Sequence, residues 1–390
     1  MALQFTRNAN VYVQLVDAAG SHVQAWKLSV LDGFSFTQSI NSSEITINEA
    51  GTTSRRARLL FNDSLAPVEW SMSTYARPFN DASPDEVHCP EEVLWAMALG
   101  ADTYTTGTRV FSNSVVSQNT NAITSTTNIF NFSGSNVSSF SDRFNIYFSF
   151  EETGNTQVYK LESAVVNSVT MDFDIEGIAT LQWSGFSKAL TDAGTSVPGD
   201  LSSPIEEGLT STTNFIRNRI STVDLVRKDK LIGSAGSGES AGSPPGQDAR
   251  DIYNIVLTGG SFTIENNISY LTPEELGVVN APLANITGAR SISGSLTCYL
   301  DNDAANSKSG ELFADLVSDT TTVRNIFDMA VNIGGTTAST PRVVFDLPTA
   351  HLEVPTINVE DLLTLEINFH GQVSNGNVDN TDEATIIYKA

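Results

Sequence analysis

Phe5-Thr6-Arg7-Asn8 leads to Val13, Leu15 and Val16, and Phe215-Ile216-Arg217-Asn218 leads to Val223, Leu225 and Val226. Six of these positions, all but Thr6 and Ile216, match at one offset of 210 residues. The two stretches read as the opening of one β domain present twice, because apolar residues recur at every second position after each motif. A duplicated β domain without catalytic groups is a building block.

Four further blocks follow in the same order in both halves. Gly33 to Thr37 (GFSFT) answers Gly259 to Thr263 (GGSFT), which pairs Phe36 with Phe262 at an offset of 226. Ser71 and Tyr75 answer Ser295 and Tyr299 at 224. A short helix over Glu92–Met97 answers one over Glu311–Leu316 at 219, and Ile175-Glu176 with Thr180-Leu181 answers Val359-Glu360 with Thr364-Leu365 at 184. The shifts in offset place the differences between the copies. Gly233 to Gly246 (GSAGSGESAGSPPG) has the composition of a flexible linker,, yet the repeat puts it inside the second copy, between its first two strands. The boundary falls instead near residue 200, giving domains at 1–200 and 205–390. The first copy carries a surplus of some 35 residues within Ala101 to Phe140, rich in Ser, Thr and Asn and read as a loop on that domain alone,.

Both helices read as short amphipathic elements lying over a sheet. Pro90, Glu91 and Glu92 suit a helix N-terminus and Gly100 its end,. Val93, Leu94 and Met97, and Leu312, Phe313 and Leu316, form the apolar stripes.

A chain of 390 residues is long enough for each half to bury its own core,. No apolar run reaches the ~18 to 20 residues of a membrane span, and Met1 to Asn10 lacks the basic-then-apolar order of a secretory leader. Synthesis in a cytoplasm without membrane insertion is expected. Cys89 and Cys298 stand in unrelated parts of the copies and read as packing residues,. The net charge of −24 excludes a surface built to grip nucleic acid, which needs clustered Lys and Arg,. It suits either plain solubility, including in a salty habitat, or a surface past which DNA slides.

No constellation points to catalysis, a cofactor or a metal. The four histidines, His22, His88, His351 and His370, lack metal-site spacing,. Asp301-Asn302-Asp303 begins like a calcium loop, but Asn306 and Leu312 occupy the positions that need Gly and Glu,. Phosphate-loop and nucleophile-elbow motifs are absent. Glu176 and Glu360 repeat between the copies and read as structural. Arg55, Arg56 and Arg58, after Glu44, Asn48 and Glu49, read either as a solvated hairpin tip or as an arm whose charges pair with a neighbouring subunit. The matching arm of the second copy, Ile268 to Arg290 with Glu274 and Glu275, is longer and less charged.

Phe61-Asn62-Asp63-Ser64-Leu65, Glu69 to Tyr75 (EWSMSTY), Ile45 to Gly51 (ITINEAG) and Thr258 to Ile264 running on to Ile268-Ser269-Tyr270-Leu271-Thr272-Pro273 resemble the tail tube proteins of long-tailed bacteriophages, specifically members with a duplicated tube domain. With Arg7-Asn8 and the closing strands, the resemblance spans almost the whole chain. It implies two tandem β-sandwich domains, each flanked by a short helix, with one sheet of each joining its neighbours into a β-barrel around a channel. It implies a homotrimeric, pseudo-sixfold ring that stacks into a tube, contacts with the tail-length scaffold, tail terminator and baseplate proteins, and DNA passing through an acidic lumen without specific binding. Residence is then the virion tail. Some members append an immunoglobulin-like domain at the C-terminus; none is expected after Ala390. A tail-end adaptor or baseplate hub ring shares the fold, and a β-rich adhesin or hydrolase is the reading from another class. Against the latter, Trp26, Trp70, Trp95 and Trp183 lie in patterned strands or the helix and form no exposed sugar-stacking cluster.

Overall fold

The computed structural model describes residues 8–46, 58–81, 85–132, 139–152, 155–199, 201, 213–228, 252–253, 255–302, 308–318, 325–337, 340–359, 362–373 and 382–390. It is mostly β. The first half runs β1 (Ala9–Val16), β2 (His22–Leu28), β3 (Ser35–Thr37), β4 (Ile40–Thr46), β5 (Arg58–Leu65), β6 (Val68–Tyr75), β7 (Phe79–Asn80), β8 (Val87–His88) and α1 (Glu92–Ala98). After α1 come β9 (Thr103–Thr105), β10 (Val110–Asn113), β11 (Gln118–Asn119), β12 (Asn121–Ile123) and β13 (Asn128–Asn131), then β14 (Phe144–Glu152), β15 (Asn155–Glu162), β16 (Val165–Asp174), β17 (Thr180–Ser187) and β18 (Ala189–Gly194). The second half runs β19 (Thr222–Arg227), β20 (Ile252–Tyr253), β21 (Leu257–Glu265), β22 (Ile268–Leu271), β23 (Ala284–Thr287), β24 (Ser291–Tyr299), α2 (Ser309–Ser318), β25 (Phe327–Ile333), β26 (Arg342–Leu352), β27 (Thr356–Val359), β28 (Leu363–Gly371) and β29 (Thr385–Lys389).

Each half has an outer and an inner layer. The outer sheet of the first half is ordered β18-β15-β14-β1-β2, and the second half repeats this as β29-β26-β25-β19-β20. The inner strands form one continuous run, β3-β6-β17-β16 followed by β21-β24-β28-β27. Alternation explains the layering. In β6, Val68, Trp70, Met72 and Thr74 are buried while Glu69, Ser71, Ser73 and Tyr75 face out, so one side of the inner sheet lies on the core and the other is polar. Phe34 and Phe36 both stack on Phe148 of the outer sheet, with ring centroids 5.3 and 4.6 Å apart, and Phe262 stacks on Phe345 at 4.1 Å.

Strand registers reproduce the sequence blocks. Ser35 pairs Ser71 and Ser261 pairs Ser295; Tyr75 pairs Thr180 and Tyr299 pairs Thr364. The last block needs one correction. Asp172 pairs Thr180, but Asn358 pairs Thr364, so the second turn is two residues shorter and Phe173, rather than Ile175, occupies the place of Val359. Glu176 sits in the first turn and is exposed; Glu360 lies outside the described residues, as do Phe5, Arg7 and the run from 233 to 246.

The surplus of the first half is not a loop on that half alone. β9 to β11 form a small sheet whose Tyr104 and Phe111 pack on Trp26 of β2. The β12–β13 hairpin adds to the edge of β29, with Asn128 opposite Tyr388. A strand edge left open in one half is thereby covered by the other, which removes exposed backbone donors and acceptors. This also overrides the expected amphipathic helix. Every residue of α1 is buried, charged Glu92 included, because the sheet covers one face and the surplus with β29 covers the other. Trp95 donates from Nε1 to Tyr388 Oη at 2.8 Å and lies edge-on to Trp183 at 4.9 Å. Among the described residues α2 has no such cover, and it buries Ser309, Leu312 and Leu316. One contiguous core spans both halves.

Candidate functional site

The polar side of the inner sheet is a surface that the fold organises across both halves. Its strand positions carry Ser71, Ser73, Ser168, Thr170, Gln182, Ser184, Ser261, Thr263, Ser293, Ser295, Thr297 and Asn368, with carboxylates at Glu69, Asp172, Asp174, Glu265 and Glu366. None of the inner strands contains Lys or Arg. Hydroxyl ladders cross it: Ser35 to Ser71 at 2.9 Å, Ser261 to Ser295 at 3.2 Å and Thr170 to Thr263 at 3.2 Å. Such hydroxyls satisfy one another, and the carboxylates among them repel phosphate. His370 is the basic exception and is held by Glu353 at 3.1 Å. Hydrogen bonds from His370 and Asn368 keep the Glu353 carboxyl below its usual range.

The two halves join through the backbone of this sheet. β16 pairs β21 antiparallel from Ser168 opposite Glu265 to Asp174 opposite Gly259, with Met171 opposite Phe262. Gly260 makes the close approach possible: a Cβ there would stand 2.4 Å from the Ser295 carbonyl oxygen and 2.6 Å from the Phe173 ring. Gly185 under Trp70 and Gly294 under Phe369 serve the same fit. At the ends of the run, β3 and β27 each pair on one side only among the described residues.

Hairpin arms project from both halves. In the first, β4 pairs β5, and Ile45, Leu59, Leu60 and Phe61 are exposed. Arg58 pairs with Glu44 at 3.2 Å within the arm; Asn48, Glu49, Arg55 and Arg56 lie outside the described residues. In the second, β22 pairs β23. The loop bearing Glu274 and Glu275 meets the first arm, where Leu65 N–H donates to the Asn280 carbonyl at 2.7 Å. Leu276, Val278, Val279 and Leu283 on that loop are exposed. Arg290 is turned inward, paired with Glu383 and 4.5 Å over the Phe132 ring.

The remaining candidate chemistry is occupied by packing. Arg109 donates to His88 Nε2 at 3.1 Å, which leaves Nδ1 to donate to Glu92 at 2.9 Å,. Cys89 and Cys298 are free thiols in the core. Among the described residues no group of three His, Cys, Asp or Glu is placed to hold a metal, and no helix is long and apolar enough to cross a membrane.

Residues 86–371 match the phage tail tube protein family. The chain belongs to that family. Over 374 residues it is 31% identical to tail tube protein pb6 of Escherichia phage T5, covering 95% of this chain and 72% of that protein. The chain is thus a structural component of a phage tail, and the polar sheet face and the arms are surfaces that its described residues present.

Sequence reading found the arms, the repeated Ser and Tyr positions and the acidic bias. It missed the contact made by Phe215. This ring lies edge-on to Tyr75 at 5.3 Å with the Arg77 guanidinium 4.4 Å over it. It also missed Glu91, whose fully buried carboxyl is pushed up to about 7 by burial. The signal for Glu91 was weak, since an acid at a helix start ordinarily faces water.

Proposed function

We propose that three chains close head to tail into a ring and that rings stack into the tail tube. The reading is supported by the β16–β21 junction, where a strand of each half pairs antiparallel with a strand of the other. The halves are two copies of one tube domain, with the division near residue 200. Repeating the junction between chains joins β27 of one to β3 of the next, with Ile357 opposite Phe36, Thr356 opposite Thr37 and Asn358 opposite Ser35. Closure removes the two open edges, the usual liability of a soluble sheet.

The core side of the inner sheet is covered by the outer layer, so the polar side faces the channel. Hydroxyls and carboxylates without Lys or Arg give DNA a wall to pass rather than a site to bind. The exposed apolar residues of the arms supply contacts to neighbouring subunits, and the tail-length scaffold, tail terminator and baseplate proteins meet the assembled tube. Assembly takes place in the host cytoplasm and the product resides in the virion. Cryo-microscopy of assembled rings tests the reading: three chains per ring are expected, and six would overturn it.

A further inference from the structure

The opening motif of the second half is a clasp on the first. Ala179 N–H donates to the Ile216 carbonyl at 3.0 Å and Asn218 N–H donates to the Gly177 carbonyl at 3.3 Å. Ile178 and Arg217 pair as an antiparallel bridge. Phe215 meanwhile covers Tyr75, and Arg77 donates to Asn214 Oδ1 at 3.3 Å. Phe215-Ile216-Arg217-Asn218 thus grips the turn between β16 and β17 from the side where β6 ends.

The matching turn of the second half has apolar residues standing in the open. Leu363, in the place of Ala179, is 43% exposed where Ala179 is 0%. Val359, Leu362 and Tyr299, the last in the place of Tyr75, are exposed as well. The chain carries the same motif a second time in its sequence, Phe5-Thr6-Arg7-Asn8, and Asn8 directly precedes β1. Polar groups are exchanged to suit. Asp301 stands where Arg77 does and Gln4 where Asn214 does, so a donor-to-acceptor contact becomes an acceptor-to-donor one.

We propose that residues 5–8 of one chain clasp the neighbouring chain where β28 begins, with Phe5 on Tyr299, Arg7 beside Leu362 and the Thr6 carbonyl accepting from Leu363 N–H. The occupant is a second copy of this chain, so the inference rests on the ring reading and adds a contact to it beyond the paired sheet edges. It gives the two motifs that repeat most plainly, the Phe-x-Arg-Asn opening and the strand turn, one shared task.

The test is a pair of engineered disulfides formed with oxidised glutathione. Arg217→Cys with Ile178→Cys should cross-link within one chain and calibrates the geometry. Arg7→Cys with Leu362→Cys should link chain to chain in assembled tubes, giving covalent trimers on a non-reducing gel; native Cys89 and Cys298 are buried and do not compete. Tubes that form but stay unlinked, or a link within one chain, overturn the clasp while leaving the ring reading intact. Phe5→Asp offers an independent measure. It should leave the melting temperature of the monomer unchanged and raise the concentration needed for tube formation at least tenfold, and an unchanged threshold overturns the clasp. Unmodified protein that stays monomeric at every concentration removes the ring reading, and the clasp with it.

Discussion

Glu91 is enclosed by Arg77, Cys89, Glu92 and Tyr388, and burial raises its carboxyl from 4.5 to about 7. Because the folded value lies above the unfolded one, the stability it contributes is fully present below about 4.5 and is lost as pH rises through 7,. Glu91→Gln should therefore raise the melting temperature at pH 8 and leave it little changed at pH 5, a difference on the order of 1–3 kcal/mol. Calorimetry across that range checks it, and an equal shift at both pH values would refute the assignment. Gly260→Ala places a Cβ against the Ser295 carbonyl and the Phe173 ring. A loss of about 1–3 kcal/mol is expected from overpacking, read by urea unfolding. The role of Gly260 is invisible in the sequence because the Phe173 ring that crowds it comes from the other half. The repeated Ser35 and Ser261 were legible, because the alternation that exposes them is local.

Among elements, β1 and β19 could be read from period-two patterns, and the two helices from their apolar spacing. The environment of α1 could not. Its second cover comes from β13 and β29, and no local pattern announces a partner strand from the other end of the chain. The same long-range pairing predicts one cooperative melting transition for the monomer, since one core spans both halves,. Two well-separated calorimetric peaks would contradict it. The arm offers a sharper test of surface against fold. Leu60 is 68% exposed on β5, so Leu60→Asp should spare monomer stability to within about 0.5 kcal/mol while impairing polymerisation, as measured by sedimentation.

For the whole molecule, the decisive property is the wall presented to DNA. Ser73→Lys, Ser184→Lys and Ser295→Lys together place three cations per chain on the polar side of the inner sheet, among its carboxylates and opposite to them in sign,. Tubes of this variant should retain DNA at low salt and release it as salt rises, with about one counterion's worth of slope for each phosphate engaged. Unmodified tubes should show no such retention. Equal DNA retention by both would mean that the polar side does not line the channel. Net charge was readable from composition alone, but its placement was not: Lys27, Lys160, Arg227, Arg342 and Lys389 all sit on outer-layer strands.

Tyr388 reaches Trp95 across 293 positions of sequence, and this orders events during synthesis. A ribosome that has delivered the whole first half has not yet delivered the strand that seals its helix. The interior of the first half is therefore completed only after the second half has been made, so neither half reaches its final packing alone.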